Sequence, residues 1–96
     1  MRNAYIVSYD ISDPKRLRKV FKTMNGFGDR IQYSVFRCEL SASDKVRMKA
    51  KLDPLIHHTE DQILIVDIGS APGRSDKCVE SLGRKPLPVE RTPVVV

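Results

Sequence analysis

The sequence has 96 residues, a size common for one domain, and it shows no repeat or linker. Hydrophobic residues make up 41% and charged residues 30%, which excludes a disordered chain and indicates a soluble globular protein. No apolar run approaches the roughly 20 residues that span a bilayer, so no membrane partner is expected. The N-terminus lacks the apolar core and cleavage site of a signal peptide, which predicts a cytoplasmic protein. We therefore predict a single domain over residues 1–96, in which residues 84–96 form a C-terminal tail.

The net charge of +5 is unevenly distributed along the chain. Residues 1–37 contain eight Lys and Arg and three Asp, whereas residues 38–96 contain nine basic and nine acidic residues. The whole positive excess therefore lies in the first segment. This asymmetry favours a polyanionic partner such as nucleic acid, and the alternative is a solvated basic helix that only aids solubility.

The first two predicted elements are a strand and a basic helix. The strand covers about residues 3–10 and is apolar on both faces, so both faces need cover. The helix covers about residues 14–25, because Asp13 and Pro14 are typical of a helix start and apolar residues follow at helical spacing. We expect Gly26 to end the helix in the left-handed conformation of a C-cap. A phosphate-binding loop around this glycine is the disfavoured alternative.

The remaining elements continue the alternation of strands and helices. In order, we predict a short strand to residue 32, a strand over 34–40, a helix opened by the capping-box pair Ser41 and Asp44, a strand over 61–69 and a short strand over 79–82. Pro54 is expected to kink or shorten the second helix. The tail ends in three valines, which we expect to pair with another surface.

This order predicts an α+β fold, a ferredoxin-like βαββαβ sandwich with an extra C-terminal strand. In that fold both helices cover one face of an antiparallel sheet and leave the other face bare. Strands that are apolar on both sides conflict with a bare face, and a second copy of the sheet would resolve the conflict. We therefore predict a face-to-face homodimer, in which the C-terminal tail packs on the partner subunit and adds to its sheet edge.

Asp10 is the candidate catalytic residue, because it is the acidic residue that ends a strong strand within the basic segment. Mg²⁺ keeps most of its waters and is often held by one or two carboxylates together with phosphate. A two-fold axis near Asp10 would supply a second carboxylate, and the bound Mg²⁺ or Mn²⁺ would activate water for phosphodiester hydrolysis. A local turn bond is the alternative role for Asp10. Asp13 is a second candidate ligand that is better explained as a helix cap.

Nucleic-acid contacts are predicted on the first helix and close to it. One stripe opposite the apolar face contains Lys15, Arg18, Lys19 and Lys22. Arg16 lies beside this stripe and closer to Asp10, and such cations bind phosphates without reading sequence. Tyr9, Tyr33 and Phe36 are candidates for stacking on unpaired bases. Core packing is favoured for Phe36, and the two roles are nearly even for the tyrosines.

Four motifs occur together in the first part of the chain. They are Tyr9-Asp10 after the first strand, Lys-Arg-Leu-Arg-Lys-Val at 15–20, Gly-Phe-Gly-Asp-Arg at 26–30 and Gln-Tyr-Ser-Val-Phe at 32–36. At these spacings the chain closely resembles the small CRISPR-associated endonuclease family, the smaller of the two near-universal proteins of the spacer-adaptation module. The resemblance covers about residues 3–69. It departs from the family at Arg37, where Glu is usual, and this puts a metal or partner contact of that residue in doubt.

The resemblance implies a ferredoxin-like homodimer of facing sheets, with Asp10 as a divalent-metal ligand shared across the dimer axis. Members of the family are metal-dependent endonucleases on RNA or double-stranded DNA, and they bridge the integrase subunits of the adaptation complex. We accordingly predict a metal-dependent endonuclease that acts in spacer acquisition and antiviral defence with the integrase subunit. Arg30 and Ser34 lie in the shared motifs and complete the predicted nucleic-acid-binding residues.

Two other functions are compared with this prediction. The alternative is a non-catalytic nucleic-acid-binding scaffold of the same complex, in which Asp10 has a structural role. An unrelated RNA-recognition module is disfavoured, because its aromatic and glycine signature lies on the third strand, whereas Gly26-Phe27-Gly28 precedes the second. The sequence leaves both RNA and DNA open as substrates.

Overall fold

The computed structural model describes residues 1–71 and 78–84. Its strands and helices follow the predicted order, and the α+β fold is confirmed. The elements are β1 (Arg2–Asp10), α1 (Pro14–Met24), β2 (Gly28–Gln32), β3 (Val35–Ser41), α2 (Ala42–Leu52), a short 3-10 helix (Asp53–Leu55) and β4 (Gln62–Ser70). No helix in these two ranges is both long enough and apolar enough to cross a membrane.

The four strands form one antiparallel sheet in the order β2-β3-β1-β4. Val7 in the middle of β1 lies between Phe36 of β3 and Ile65 of β4. Each helix therefore connects two strands that are separated by one other strand, as in a ferredoxin-like fold. This arrangement places β1 at the centre of the sheet, and the end of β1 carries Asp10.

Both helices begin at the predicted cap residues. The Asp13 carboxylate accepts a hydrogen bond from the backbone N–H of Arg16 at 2.9 Å. The Ser41 hydroxyl accepts one from the backbone N–H of Asp44 at 3.1 Å. Pro54 lies in the 3-10 helix that follows α2, so it shortens the α-helix as expected.

The prediction of a left-handed cap at Gly26 is wrong. Helix α1 ends with Asn25 in the right-handed helical conformation, and Gly26 donates its N–H to the carbonyl of Thr23 at 3.1 Å. The chain therefore leaves the helix through a tightened last turn, which needs no residue with positive φ.

The predicted strand over 79–82 is also wrong, because residues 78–84 contain no strand. Residues 85–96 lie outside the described residues, so the predicted tail strand stays a prediction.

The sheet is apolar on both faces, as the sequence predicts. On the helix-covered face, Val7 and Phe36 pack with Met24 of α1 in one buried cluster. On the opposite face, Leu64 and Val66 of β4 are 50% and 49% exposed. We call this second surface the open face.

Candidate nucleic-acid and metal site

A cleft of about 520 Å³ lies at the end of β1, between α1 and the turn that joins β2 to β3. Its walls come from three parts of the chain. The lining residues are Tyr9, Asp10 and Ile11 at the strand end, Pro14, Leu17, Arg18 and Phe21 on α1, and Arg30, Tyr33 and Ser34 near the turn. Five of the predicted site residues, Tyr9, Asp10, Arg18, Arg30 and Ser34, are thus brought together in one place.

The sheet fixes the position of Asp10. Asp10 is the last residue of β1 and pairs with Gln62 of β4, while the backbone N–H of Tyr9 donates to the carbonyl of Ser34 at 3.0 Å. The Asp10 side chain is exposed, and its carboxylate makes no hydrogen bond or ion pair with the residues that the structure describes. The alternative role of Asp10 in a local turn bond therefore finds no partner in residues 1–71 or 78–84.

The loop that follows Asp10 is held by the buried side chain of Asp61. This carboxylate accepts hydrogen bonds from the backbone N–H and the hydroxyl of Ser12 at 3.0 and 3.2 Å, and from the backbone N–H of His57 at 2.8 Å. It also pairs with the Arg16 guanidinium, whose Nε and Nη2 donate at 2.7 and 3.1 Å. These donors, Arg16 above all, hold the pKa of the Asp61 carboxyl well below its usual range. The network therefore ties the loop after Asp10 to the start of β4.

Arg16 lies in this network and is not a lining residue of the cleft. Its Nη2 also contacts the Glu60 carboxylate at 3.3 Å and the Ser12 hydroxyl at 3.1 Å. The structure thus assigns Arg16 a role in positioning the loop, and its role in nucleic-acid binding stays a prediction. Asp61 was not among the predicted site residues. No local pattern marks it, because it lies 45 residues from Arg16 in the sequence.

Arg30 lies between two aromatic rings. Its guanidinium carbon is 4.9 Å from the centre of the Phe21 ring and 5.6 Å from that of the Tyr33 ring. Contacts of this kind hold an arginine by cation–π attraction and leave its N–H donors available to an anion. Tyr33 is 87% exposed, so its ring is accessible from solvent.

The Tyr9 ring belongs to the core, in contrast to Tyr33. Tyr9 is 4% exposed, and its ring stacks on the fully buried Phe36 with 6.1 Å between ring centres. The favoured core role of Phe36 agrees with this packing. Burial raises the pKa of the Tyr9 hydroxyl to about 12, and the nearby charge of Arg30 partly opposes the shift. The Tyr9 ring is therefore no exposed stacking surface, and its hydroxyl is buried with it.

The predicted basic stripe lies on the exposed side of α1. Its four members are Lys15, Arg18, Lys19 and Lys22, and all are exposed. Arg18 also lines the cleft, so the stripe adjoins the cleft at this residue. Arg37, the residue that departs from the family pattern, lies opposite Ile6 and Asp29 on the open face and is not a lining residue of the cleft.

The single carboxylate of Asp10 suits a hydrated divalent cation. It does not make a complete metal centre from one chain. The part of the chain that the structure describes contains no group of three or more His, Cys, Asp or Glu that could hold a metal ion. Asp10 contributes a single exposed carboxylate that makes no hydrogen bond or ion pair with the residues the structure describes. Mg²⁺ accepts such a site, because it keeps several waters and takes its remaining ligands from one or two carboxylates and a phosphate.

Comparisons with known proteins identify the family of this chain. Residues 3–73 match the family model described as CRISPR associated protein Cas2. The chain is 44% identical over 94 residues to the CRISPR-associated endoribonuclease Cas2 1 of Rhodospirillum rubrum, covering 98% of this chain and 91% of that protein. It is 43% identical over 96 residues to the CRISPR-associated endoribonuclease Cas2 of Geobacter sulfurreducens, covering all of both chains.

A solved structure gives the same result at the level of the fold. The crystal structure of Streptococcus pyogenes Cas2 at pH 6.5 superposes with a TM-score of 0.72 at 32% identity, covering 83% of this chain and 99% of that one. The resemblance inferred from the four motifs is therefore confirmed. This chain belongs to the CRISPR-associated Cas2 protein family.

Proposed function

We propose that this protein is a metal-dependent endonuclease that hydrolyses phosphodiester bonds of RNA or DNA in CRISPR spacer acquisition and antiviral defence. One observation carries the proposal: Asp10, whose carboxylate is unengaged, lines the same cleft as Arg18 and Arg30. A carboxylate that binds a cation, with two guanidinium groups close by, is suited to hold a phosphodiester. Relatives that are named endoribonucleases support the reaction class.

Asp10 would bind Mg²⁺ or Mn²⁺ through its carboxylate. The ion, when bound, supplies charge for the attacked phosphate and a more acidic water. Arg30 and Arg18 would bind phosphate oxygens, since guanidinium groups donate in pairs to such anions. The Asp61 network holds the loop that follows Asp10 through its bonds to Ser12 and Arg16.

A second carboxylate for the metal would come from a second copy of the chain. The open face leaves Leu64 and Val66 half-exposed, and exposed apolar patches are typical of interfaces. We therefore include a homodimer through this face in the proposed function. The integrase subunit as a further partner, and the cytoplasm as location, follow from the family and are part of the same proposal.

The decisive experiment compares wild type with Asp10→Asn and Asp10→Ala on a panel of RNA and DNA substrates, each with Mg²⁺, Mn²⁺ or EDTA. We expect cleavage by the wild type with metal, no cleavage by either variant, and nucleic-acid binding by all three proteins. Asp53→Asn is the matched control, because Asp53 is an exposed acid at the end of α2, away from the cleft. Cleavage by Asp10→Asn at the wild-type rate would remove Asp10 from catalysis.

A non-catalytic scaffold is the second candidate function. The basic stripe on α1 favours it, because these exposed cations bind phosphates independently of Asp10. The same panel separates the two functions. Wild type that binds RNA or DNA but cleaves none of the substrates with either metal would establish the scaffold.

A further inference from the structure

The ion pair between Arg16 and Asp61 is a charge cluster to which the proposed function gives no chemical step. The Asp61 side chain is fully buried, the Arg16 side chain is 26% exposed, and their closest atoms are 2.7 Å apart. A buried ion pair adds little net stability, because removing both charges from water costs about as much as their attraction returns. Its hydrogen bonds, however, allow only one arrangement of the groups that they join. The main effect of the pair is therefore on the geometry of the chain around it.

Both oxygens of the Asp61 carboxylate are engaged, so the plane of the carboxylate is fixed. Its Oδ1 accepts from the backbone N–H and the hydroxyl of Ser12 at 3.0 and 3.2 Å, and from Nη2 of Arg16 at 3.1 Å. Its Oδ2 accepts from Nε of Arg16 at 2.7 Å and from the backbone N–H of His57 at 2.8 Å. An asparagine at this position would turn its NH₂ group toward donors in either orientation of the amide. The arrangement therefore requires a carboxylate.

The groups that Asp61 joins belong to two walls of the cleft. Ser12 is two residues beyond Asp10, and Arg16 is two residues before Arg18. Asp10 and Arg18 both line the cleft. Asp61 lies outside this lining and is bonded to the loop on one side and to the helix on the other. It thereby links the strand end that offers a metal ligand to the helix that offers a cation for phosphate.

We propose that Asp61 is a positioning residue for the reaction at Asp10. Its bonds to Ser12 and Arg16 set where the Asp10 carboxylate lies relative to α1. The inference rests on the proposed function and adds to it that metal binding and turnover depend on this ion pair, whereas affinity for nucleic acid does not. A misplacement of about 1 Å can cost roughly 100-fold in rate, so a small shift of the loop is enough.

Binding of Mn²⁺ followed by electron paramagnetic resonance tests the inference without cleavage. We expect wild type to bind Mn²⁺ and Asp10→Asn to lose this binding. Asp61→Asn should bind Mn²⁺ about tenfold more weakly, as is typical when a group that orients a metal ligand is removed. Its kcat for cleavage should fall by about 10- to 100-fold at unchanged KM. Its affinity for an oligonucleotide in EDTA should stay within about twofold of wild type, because phosphate contacts elsewhere carry it.

Met48→Ala is the control for lost stability. Met48 of α2 is fully buried and does not line the cleft. Truncating a core side chain destabilises a protein about as much as breaking a buried ion pair does. All variants are compared at a temperature at which circular dichroism shows them to be folded. Met48→Ala should then keep the wild-type Mn²⁺ affinity and kcat.

Arg16→Lys is the second variant, because it keeps the charge opposite Asp61 and removes only the two-bond fork. It should weaken Mn²⁺ binding by about threefold or more, a smaller loss than that of Asp61→Asn. Arg47→Lys is its matched control, since Arg47 pairs with Asp44 at 3.1 Å on α2 and does not line the cleft. This pair of variants decides the question by itself if Asp61→Asn does not fold.

Three results would overturn the inference alone, with Asp10→Asn still unable to bind Mn²⁺. The first is equal Mn²⁺ affinity of Asp61→Asn and Met48→Ala, and the second is equal Mn²⁺ affinity of Arg16→Lys and Arg47→Lys. The third is a loss of oligonucleotide affinity in EDTA that matches the loss of kcat, because Arg16 would then bind nucleic acid itself. Wild type that binds no Mn²⁺, or Asp10→Asn that binds it as well as wild type, removes the proposed function together with the inference.

Discussion

Gly28 is a position at which the structure predicts that a single added methyl group lowers stability. Gly28 pairs with Cys38 across β2 and β3, and a Cβ placed on it would lie 2.5 Å from both the Arg37 carbonyl oxygen and the Cys38 sulfur. Real Cβ atoms do not approach backbone this closely, so Gly28→Ala forces the two strands apart. The strand that must move also carries Arg30 into the cleft.

The expected loss of stability follows from this overlap. Overpacking a tight site costs typically about 1–3 kcal/mol in the free energy of unfolding. For a domain of this size, each kcal/mol lowers the melting temperature by roughly 4–8 °C, so we expect a drop of about 5–20 °C. Gly26→Ala is the matched control, because its nearest contact is the Thr23 carbonyl at 3.4 Å and its φ is not positive. It should change stability by no more than about 1 kcal/mol.

Thermal denaturation followed by circular dichroism measures both variants. Equal melting temperatures for Gly28→Ala and Gly26→Ala would refute the close strand approach. The measurement also decides between two interpretations of residues 26–28. If either variant lost oligonucleotide affinity at an unchanged melting temperature, a phosphate-binding loop would be correct and the helix-end turn would not be its main role.

Two further predictions concern the loop network and the open face. Asp61 has a lowered pKa in the folded state, so its stabilisation is fully present above the unfolded value of about 3.9 and is lost progressively as the pH falls from there through the folded value. Asp61→Asn should therefore lower the urea midpoint more at pH 7 than at pH 3, and an equal loss at both would contradict the network. Leu64→Lys places a charge on the open face and should convert the proposed dimer into monomers in light scattering, whereas Val46→Lys, on exposed α2, should not. A dimer that survives Leu64→Lys would exclude this face as the interface.

Local patterns were enough to predict the elements of the fold. The apolar spacing of α1 placed Val20 and Met24 in the core, and alternation along β1 placed Tyr5, Val7 and Tyr9 on one face. Alternation alone did not show that this face lies under the helices. The sequence therefore could not decide whether the tyrosines pack in the core or contact a ligand. Their burial depends on which side α1 and α2 cover, and that is a property of the whole sheet.

The least predictable part of the site was the partner of Arg16. A basic residue in a basic helix resembles its neighbours, and the ion pair with Asp61 forms only because β4 returns beside β1. The prediction of the helix end at Gly26 was wrong for a different reason. Glycine is common after helices because it tolerates positive φ, but here Asn25 and Gly26 continue in a tightened turn that other residues could also adopt.

The position of Arg16 also changes how the charge of the first 37 residues is interpreted. Part of that excess is balanced within the protein, because Arg16 is paired with a carboxylate from the neutral second segment. The exposed lysines of the α1 stripe, by contrast, lie outside the cleft that Asp10 and Arg30 line. The proposed phosphate binding along the helix and the proposed chemistry at the strand end therefore depend largely on different side chains, with Arg18 shared by both. This separation predicts that a variant can lose cleavage and keep its affinity for nucleic acid. If cleavage and affinity fell together, one surface would perform both binding and cleavage.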